Sequence, residues 1–405
     1  MRKIYQLFIC VIILVTFFAC TKMNDLHQEY LDRGEQIYIG AIDSIIAYPG
    51  NNYIKMKCVV NSDPKIKKLK VSWNEGTEEK EKLVDFVRQS SGSDTIEFEI
   101  ETIPEDTYLF NFITLDDKNN SSINTEFTAT VYGQNYIDKL MNKSIEGLNA
   151  TDSSFYISWK PNPNAVSVKI VYINSQGDKN TILIPESEAI TEIKDWKLNS
   201  EIIYQTEFKP HKNAIGRFFA KAEILMTPDC FLLSKKRFKQ IHLHADVLGQ
   251  AWGGNINKLW NDVVHKDDFF HSGQPGDKLP QTITFDMGVK AKMHEFKVYP
   301  RPVYPDGNPR DFEIWGIADI KNAETTLDAD DQGWTNESID KGWSKMATIN
   351  LSDDIDKAKP YTVEVKNPDK FKNVRYIRIR FIKNFTGEGT HILLGEFECY
   401  ATEIN

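Results

Sequence analysis

Cysteine is scarce in this chain and poorly placed for a framework. Of five in 405 residues, Cys10 and Cys20 fall in the N-terminal apolar run, leaving Cys58, Cys230 and Cys399 far apart. Three thiols permit at most one internal disulfide, which excludes a small disulfide-stapled scaffold. An excess of positive charge is also missing. Lys and Arg number 49 against 58 Asp and Glu, a net charge of −9, and without a basic face nothing is built to meet a phosphate backbone, which argues against nucleic acid as a partner. Beyond residue 20 no apolar run approaches the roughly eighteen residues of a membrane-crossing helix. Catalytic signatures are absent as well: there is no G-x-S-x-G elbow, no H-E-x-x-H and no phosphate loop. The acid pairs Asp267-Asp268 and Asp330-Asp331 are adjacent in sequence, whereas a glycosidase needs two carboxyls about 5 to 10 Å apart across a cleft. The chain reads as a non-enzyme.

What is present begins with a leader. Arg2 and Lys3 precede an almost unbroken apolar run over 4–18, which closes on Ala19-Cys20. A positive n-region, an apolar core and a small residue before a cysteine are the features of a lipoprotein signal peptide spanning 1–20, with Cys20 as the lipid-modified first residue of the mature chain. Acyl chains contribute about 0.8 kcal/mol per buried CH₂, so a multiply acylated Cys20 would hold the protein on a bilayer without a span. The competing reading is an uncleaved anchor. Either places the remainder outside the inner membrane, and the expected location is the outer membrane, exposed at the cell surface. Residues 21–35 are polar and aperiodic and read as a tether.

Strand signals dominate from there: short β-branched and aromatic runs between Gly, Asn, Asp and Pro clusters. Only 136–145 offers a short amphipathic helix, so the expected fold is all-β. A weak repeat of about a hundred residues relates LKVSWNEG (69–76) to VKIVYINSQG (168–177), and the run around Tyr108 to that around Tyr204. A large ring on one mid-sheet strand and a tyrosine on a later one are features of immunoglobulin and fibronectin type III sandwiches. One such domain is expected over 36–134 and a second over 146–228, with Trp73, Trp159 and Trp196 as core rather than as sugar-stacking faces. The boundary of the next domain falls within 227–240, and that domain is expected over 235–405. Its alternating strands include QTITFDMG, MHEFKVYP, RDFEIWGI, VRYIRIRFIK and LLGEFECYA, joined by long loops rich in Trp, Asp, His and Gly.

This last segment resembles a discoidin domain, also called coagulation factor 5/8 type C, the jelly-roll sandwich shared with family 32 carbohydrate-binding modules. The resemblance rests on NKLWNDVVHKDDFFHS, LPQTITFDMG, RDFEIWGI, KNVRYIRIRF and LLGEFECYA. The N-terminal half resembles, more loosely, the β-domains that precede discoidin domains in Bacteroidetes outer-membrane lipoproteins. Such proteins accompany glycan-import machinery, so the resemblance implies a surface glycan-binding role, with components of an import complex as partners. It also implies a structural Ca²⁺ near the binding loops, held by Asp262, Asp267 or Asp268, and Glu396; the chain departs from the family pattern at Asp262-Val263.

Sugar recognition needs a flat aromatic face for the C–H side of a pyranose, with donors and acceptors for its hydroxyls. The loops of 235–405 offer Trp252, Trp260, His271, Arg301, Tyr304 and Phe385 for this, with Gly253-Gly254 and 387–389 as sharp turns. Trp315, inside an alternating run, reads as core, while Trp334 and Trp343 sit in a polar insertion that gives them no rank. His242 and His244 alternate as if on one strand face, without a third ligand at motif spacing. Two functions remain: binding of a neutral or mildly polar glycan, or adhesion or assembly in which the discoidin domain binds protein or packs in an outer-membrane complex.

Overall fold

The computed structural model describes residues 39–273, 277–387 and 389–405. The leader, Cys20 and the 21–35 tether lie outside the described residues, as does Glu388 of the 387–389 turn. The fold is all-β. The chain separates into two units: one holds the described residues up to 141 together with 207–221, and the other holds 142–206 and 222–405.

The first seven strands are β1 (Ile42–Pro49), β2 (Ile54–Val60), β3 (Lys68–Glu75), β4 (Glu78–Asp85), β5 (Asp94–Ile100), β6 (Asp106–Leu115) and β7 (Thr125–Val131). They form a three-stranded sheet, β1-β2-β5, and a four-stranded sheet, β4-β3-β6-β7. Alternation in β2, β3 and β6 turns Met56, Cys58, Leu69, Val71, Trp73, Phe110 and Phe112 into one core; each side chain so buried contributes about 1.5–3 kcal/mol. Tyr108, near the start of β6, donates its hydroxyl to the Pro104 carbonyl at 2.9 Å, the tyrosine corner of immunoglobulin-like sandwiches. The expected helix is a single turn, α1 (Gln134–Ile137), and residue 145 already begins a strand.

That strand opens the second sandwich: β8 (Ile145–Ala150), β9 (Phe155–Trp159), β10 (Ala165–Ile173), β11 (Lys179–Pro185), β12 (Ile190–Ile193), β13 (Glu201–Phe208), β14 (Phe218–Phe219) and β15 (Glu223–Met226). Sheets β12-β9-β8 and β11-β10-β13 repeat the pairing of the first sandwich strand for strand, and β15 pairs the start of β13. The end of β13 and β14 belong to the first unit. The internal repeat therefore marks equivalent strands: β3 and β10 carry Trp73 and Tyr172, while β6 and β13 carry Tyr108 and Tyr204. Trp159 is buried against Tyr204, ring centroids 5.6 Å apart, and Trp196 packs at the edge of the same core. Core packing, not sugar stacking, is the role of all three expected tryptophans.

The third sandwich comprises β16 (Phe231–Leu232), β17 (Lys239–Ile241), β18 (Phe270–His271), β19 (Gln281–Tyr299), β20 (Pro309–Ile317), β21 (Ser344–Asn350), β22 (Tyr361–Glu364), β23 (Val374–Asn384), β24 (Leu393–Leu394) and β25 (Glu396–Ile404). The runs QTITFDMG and MHEFKVYP, which read as two strands, are one. Its first half pairs β23 and its second half pairs β25. The change of partner falls beside Gly288, whose φ of +76° suits glycine. One bent strand thus serves both layers, a device by which sandwiches turn corners. Between the layers lie Phe285, Phe296, Ile377, Ile379, Phe381 and Phe397.

The polar-looking insertion, with α2 (Trp334–Asp340), covers the outer face of β20 and β23. Trp315, Trp334 and Trp343 are fully buried there. Arg380 lies over the Trp334 ring at 4.5 Å and Arg378 at 5.3 Å. Arg378 pairs with Asp246 at 3.4 Å, both almost wholly enclosed. The sequence boundary at 235 needs correction, because β16 pairs β25 and Leu233 belongs to this core; the domain begins before residue 231. Cys58, Cys230 and Cys399 are free thiols. No helix among the described residues is long and apolar enough to cross a membrane.

Candidate functional site

The ends of β18, β19, β20 and β24 meet at a cleft of about 490 Å³, lined by Trp252, Phe269, His271, Arg301, Tyr304, Asp306, Gly307, Thr386, His391 and Leu393. Four of the six residues expected from the sequence to bind ligand are among them. Trp252 and Tyr304 are each 72% exposed. Both hold left-handed backbone, with φ of 51° and 56°, a region bulky side chains rarely enter and which costs on the order of 1–3 kcal/mol.

The surrounding loops explain how that backbone persists. Gly254 sits so close to the floor that a Cβ there would lie 2.7 Å from the His271 backbone nitrogen, and Asn255 donates to the Phe269 carbonyl at 3.1 Å. On the opposite wall, buried Asn308 clamps the 301–308 loop. Its Oδ1 accepts from the Arg301 backbone at 2.9 Å and its Nδ2 donates to the carbonyls of Arg301 and Lys357, each at 3.0 Å. A Cβ on Gly307 would lie 2.7 Å from Leu393 Cδ1, so glycine lets this loop reach the floor with Leu393 in place.

The polar groups are set between the two exposed rings. Arg301 is 9% exposed, its guanidinium 3.4 Å from the centre of the Phe269 ring and 5.3 Å from that of Tyr304. Nε and Nη2 donate to the Lys266 carbonyl at 3.0 and 2.8 Å, while Nη1 has no hydrogen bond among the described residues. Asp306 accepts from Lys357 Nζ at 2.7 Å. His271 stacks on His391, centroids 4.8 Å apart and planes 16° from parallel. Burial, then the neighbouring His391 and Arg301, lower the His271 pKa to about 4, so at neutral pH it is an uncharged donor and acceptor. Rings above and beside hydrogen-bonding groups are an arrangement that can grip a polyhydroxylated ring.

Two expected residues are placed differently. Trp260 is 9% exposed and packs in the core against Phe285, ring centroids 5.3 Å apart. The 3₁₀ turn Ile256–Trp260, capped by the Asn255 side chain, points Ile256, Leu259 and Trp260 inward together, and that spacing of apolar residues was readable. Phe385 lies behind the rim, its ring under Lys357 Nζ at 5.0 Å and its backbone donating to the Asp306 carbonyl at 2.9 Å. Phe269, Asp306, Asn308, Thr386, His391 and Leu393 were not anticipated; the pairing of β18 with β24 that brings His391 to His271 leaves no local sequence signal.

The expected Ca²⁺ ligands do not fit a dication. Asp262 and Glu396 do converge, but on an ammonium: buried Lys235 Nζ lies 2.5 Å from Asp262, 2.6 Å from Glu396 and 3.3 Å from Glu398. Burial opposes the charge on Lys235, yet hydrogen bonds to Asp262 and Glu396 outweigh it and raise its pKa. Asp267 is not with them; it is exposed beside His265 at 3.7 Å, and Asp268 binds Asn261 and Lys258. A carboxylate set already holding a cation in its centre offers no room for a calcium shell of six to eight oxygens. His242 and His244 follow the end of β17, so strand alternation does not apply to them, and His244 faces Asp328 at 3.1 Å.

Residues 20–218 match the family DUF4998 and residues 257–401 match DUF5000, each described as a domain of unknown function. No curated protein matches the chain. Among solved structures, a SusE-like protein is 26% identical over 42% of this chain and 99% of its own, with a TM-score of 0.33. A family 32 carbohydrate-binding module from C. perfringens, solved with galactose, is 14% identical over 42% of this chain and 97% of its own, TM-score 0.29. The C-terminal domain of a chitobiase from Bacteroides fragilis is 18% identical over 43% of this chain and 99% of its own, TM-score 0.30.

Proposed function

We propose that the chain is a surface lipoprotein that captures glycan in the cleft of its third sandwich, in support of polysaccharide uptake. One observation carries the reading: two aromatic rings, Trp252 and Tyr304, stand largely in solvent on strained backbone, flanking Arg301, His271 and Asp306. Packing does not require those rings to be there, since neither is buried; two aromatic residues on left-handed backbone at one cleft point to a ligand. The leader ending in Cys20 would fix the chain to the outer membrane, with the two N-terminal sandwiches as spacers and import-complex components as neighbours.

Stacking and hydrogen bonds of this kind each contribute about 1 kcal/mol, so one shallow site binds nearer millimolar than nanomolar. Many copies on a membrane engaging one polymer compensate for that weakness. The test is affinity electrophoresis against a polysaccharide panel. Wild-type protein is retarded by at least one polymer, and Trp252→Ala and Tyr304→Ala each lose the retardation with melting temperature unchanged. Retardation by none, or retardation surviving both substitutions, rejects the glycan reading in favour of protein adhesion. In cells, Cys20→Ala leaves the protein out of the membrane fraction; palmitate labelling that persists in this variant rejects the anchor.

A further inference from the structure

Where the second sandwich hands over to the third, Asp229 and Cys230 precede β16 and lie against β19. At that point the ladder is irregular: the register of β19 on β25 slips between Lys292 and Met293, where the extra residue is Thr402 of β25, and again between Met293 and Glu295, where the extra residue is His294 of β19. Met293 and Phe296 stay buried, so the slip leaves both His294 and Glu295 on the outer, half-buried face, where strict alternation would allow only one. Bulges re-aim side chains in this way. The result is a cluster of three different ligand types: a carboxylate oxygen of Asp229, the thiol of Cys230 and an imidazole nitrogen of His294, all within 4.8 Å of one another. His294 Nε2 is 3.8 Å from Asp229 Oδ2. Beside them, Glu295 faces Glu364 directly across the β19–β22 pair, and like charges so opposed are destabilising unless a cation is near. The cluster shares no residue with the glycan cleft.

We propose that Asp229, Cys230 and His294 hold a zinc-class divalent ion that pins the interdomain linker to the bulge of β19. Thiolate and imidazole together favour Zn²⁺ over Ca²⁺ or Mg²⁺. Zinc bonds of about 2.3 Å to sulfur and about 2.0–2.1 Å to nitrogen and oxygen place ligand atoms roughly 3.3–3.8 Å apart, so closure needs an adjustment of about 1 Å, which exposed Asp229 can supply. Glu295 or a water completes the tetrahedron. Binding releases the Cys230 proton to solvent, so affinity rises with pH.

The test uses the untagged chain carrying Cys10→Ser and Cys20→Ser, so that Cys58, Cys230 and Cys399 are its remaining thiols, reduced and metal-free, titrated with Co²⁺ and then Zn²⁺. One equivalent of cobalt should give tetrahedral visible bands and a near-ultraviolet thiolate charge-transfer band, both erased by zinc. Cys230→Ser should abolish the charge-transfer band, because Cys58 and Cys399 are enclosed in the separate cores of the first and third sandwiches. Asp229→Asn, a surface change, and His294→Ala should each weaken zinc at least about tenfold in chelator competition, a loss that even outer-shell substitutions can produce. Near-ultraviolet dichroism checks that each variant is folded, and should Cys230→Ser not fold, the wild-type spectrum and Asp229→Asn decide the matter. Absence of stoichiometric uptake by the wild type overturns the site, as does a charge-transfer band that survives in folded Cys230→Ser, or affinity unchanged in Asp229→Asn and His294→Ala.

Discussion

Trp252 and Tyr304 each carry a conformational cost, exposed rings on left-handed backbone, and the sign of that cost can be measured. Glycine adopts φ near +51° freely, so Trp252→Gly should leave the protein equally stable or more stable by about 1 kcal/mol, while polysaccharide retardation disappears. A clear loss of stability would mean the ring packs rather than binds. At His271 the argument is one of pH. Its folded pKa of about 4 lies below the usual value near 6.5. Above pH 6.5 neither state is protonated and the full stability is present. As pH falls from 6.5 to 4 the unfolded chain takes up a proton that the folded one refuses, so stability declines through that window. Urea midpoints of His271→Gln should fall less steeply over the same range; parallel slopes would show that the ring titrates normally. Protonation would also set a charge beside Arg301 and His391, so glycan retention should weaken toward pH 4. Lys235 gives a third test. Removing the cation leaves the buried carboxylates of Glu396 and Glu398 uncompensated, and Lys235→Met should cost about 3–5 kcal/mol. A native-state Ca²⁺ site would instead reveal itself by mass action; millimolar Ca²⁺ should leave the wild-type melt where it is.

At the scale of elements, what was readable in the sequence followed periodicity, and what was not depended on partners distant in the chain. Alternation located β3, β6 and β10, and the weak repeat identified equivalent strands of two sandwiches, because a residue's side of a strand is a local property. Loop aromatics were a different matter. Trp252 and Trp260 stand in the same AWGGNINKLW segment, and only a 3₁₀ turn separates the exposed ring from the buried one. VRYIRIRF reads as an alternating strand but does not show what covers its arginines: Arg378 and Arg380 are roofed by Trp334 and Trp343 from an insertion whose polar composition concealed them. The convergence of Asp262 and Glu396 was readable through the discoidin resemblance. The cation between them was not, because Lys235 reaches Glu396 across 161 positions of sequence. The cleft was half readable for the same reason: its rims are loops with Trp, Tyr and Arg, while its floor is made by the pairing of β18 with β24.

At the scale of the whole chain, the second and third sandwiches have separate cores yet fall in one unit, and the linker explains how. The turn at 151–154 docks on it: Asp152 donates its backbone N–H to the Leu232 carbonyl at 3.0 Å, and its carboxylate accepts from the Ser234 backbone at 3.1 Å and pairs with Arg237. The same stretch gives β16 to β25 and Leu233 to the third core. These residues belong to both neighbours, so where the chain is cut decides what survives. A fragment of 227–405 keeps β16 and Leu233 and loses the contacts of Thr227, Pro228, Leu232, Ser234 and Arg237 with the second sandwich, none of them residues of the third core; it should unfold in one cooperative transition. A fragment of 235–405 deletes an edge strand and a fully buried leucine. Loss of such a side chain alone costs about 2–5 kcal/mol, a large part of the 5–15 kcal/mol that holds a domain together. Guanidinium melts of the two fragments should therefore separate widely, with 235–405 displaced to much lower denaturant or already unfolded in water. Coincident melts would show that Phe231, Leu232 and Leu233 contribute nothing to the third sandwich, and that the boundary belongs at 235 after all.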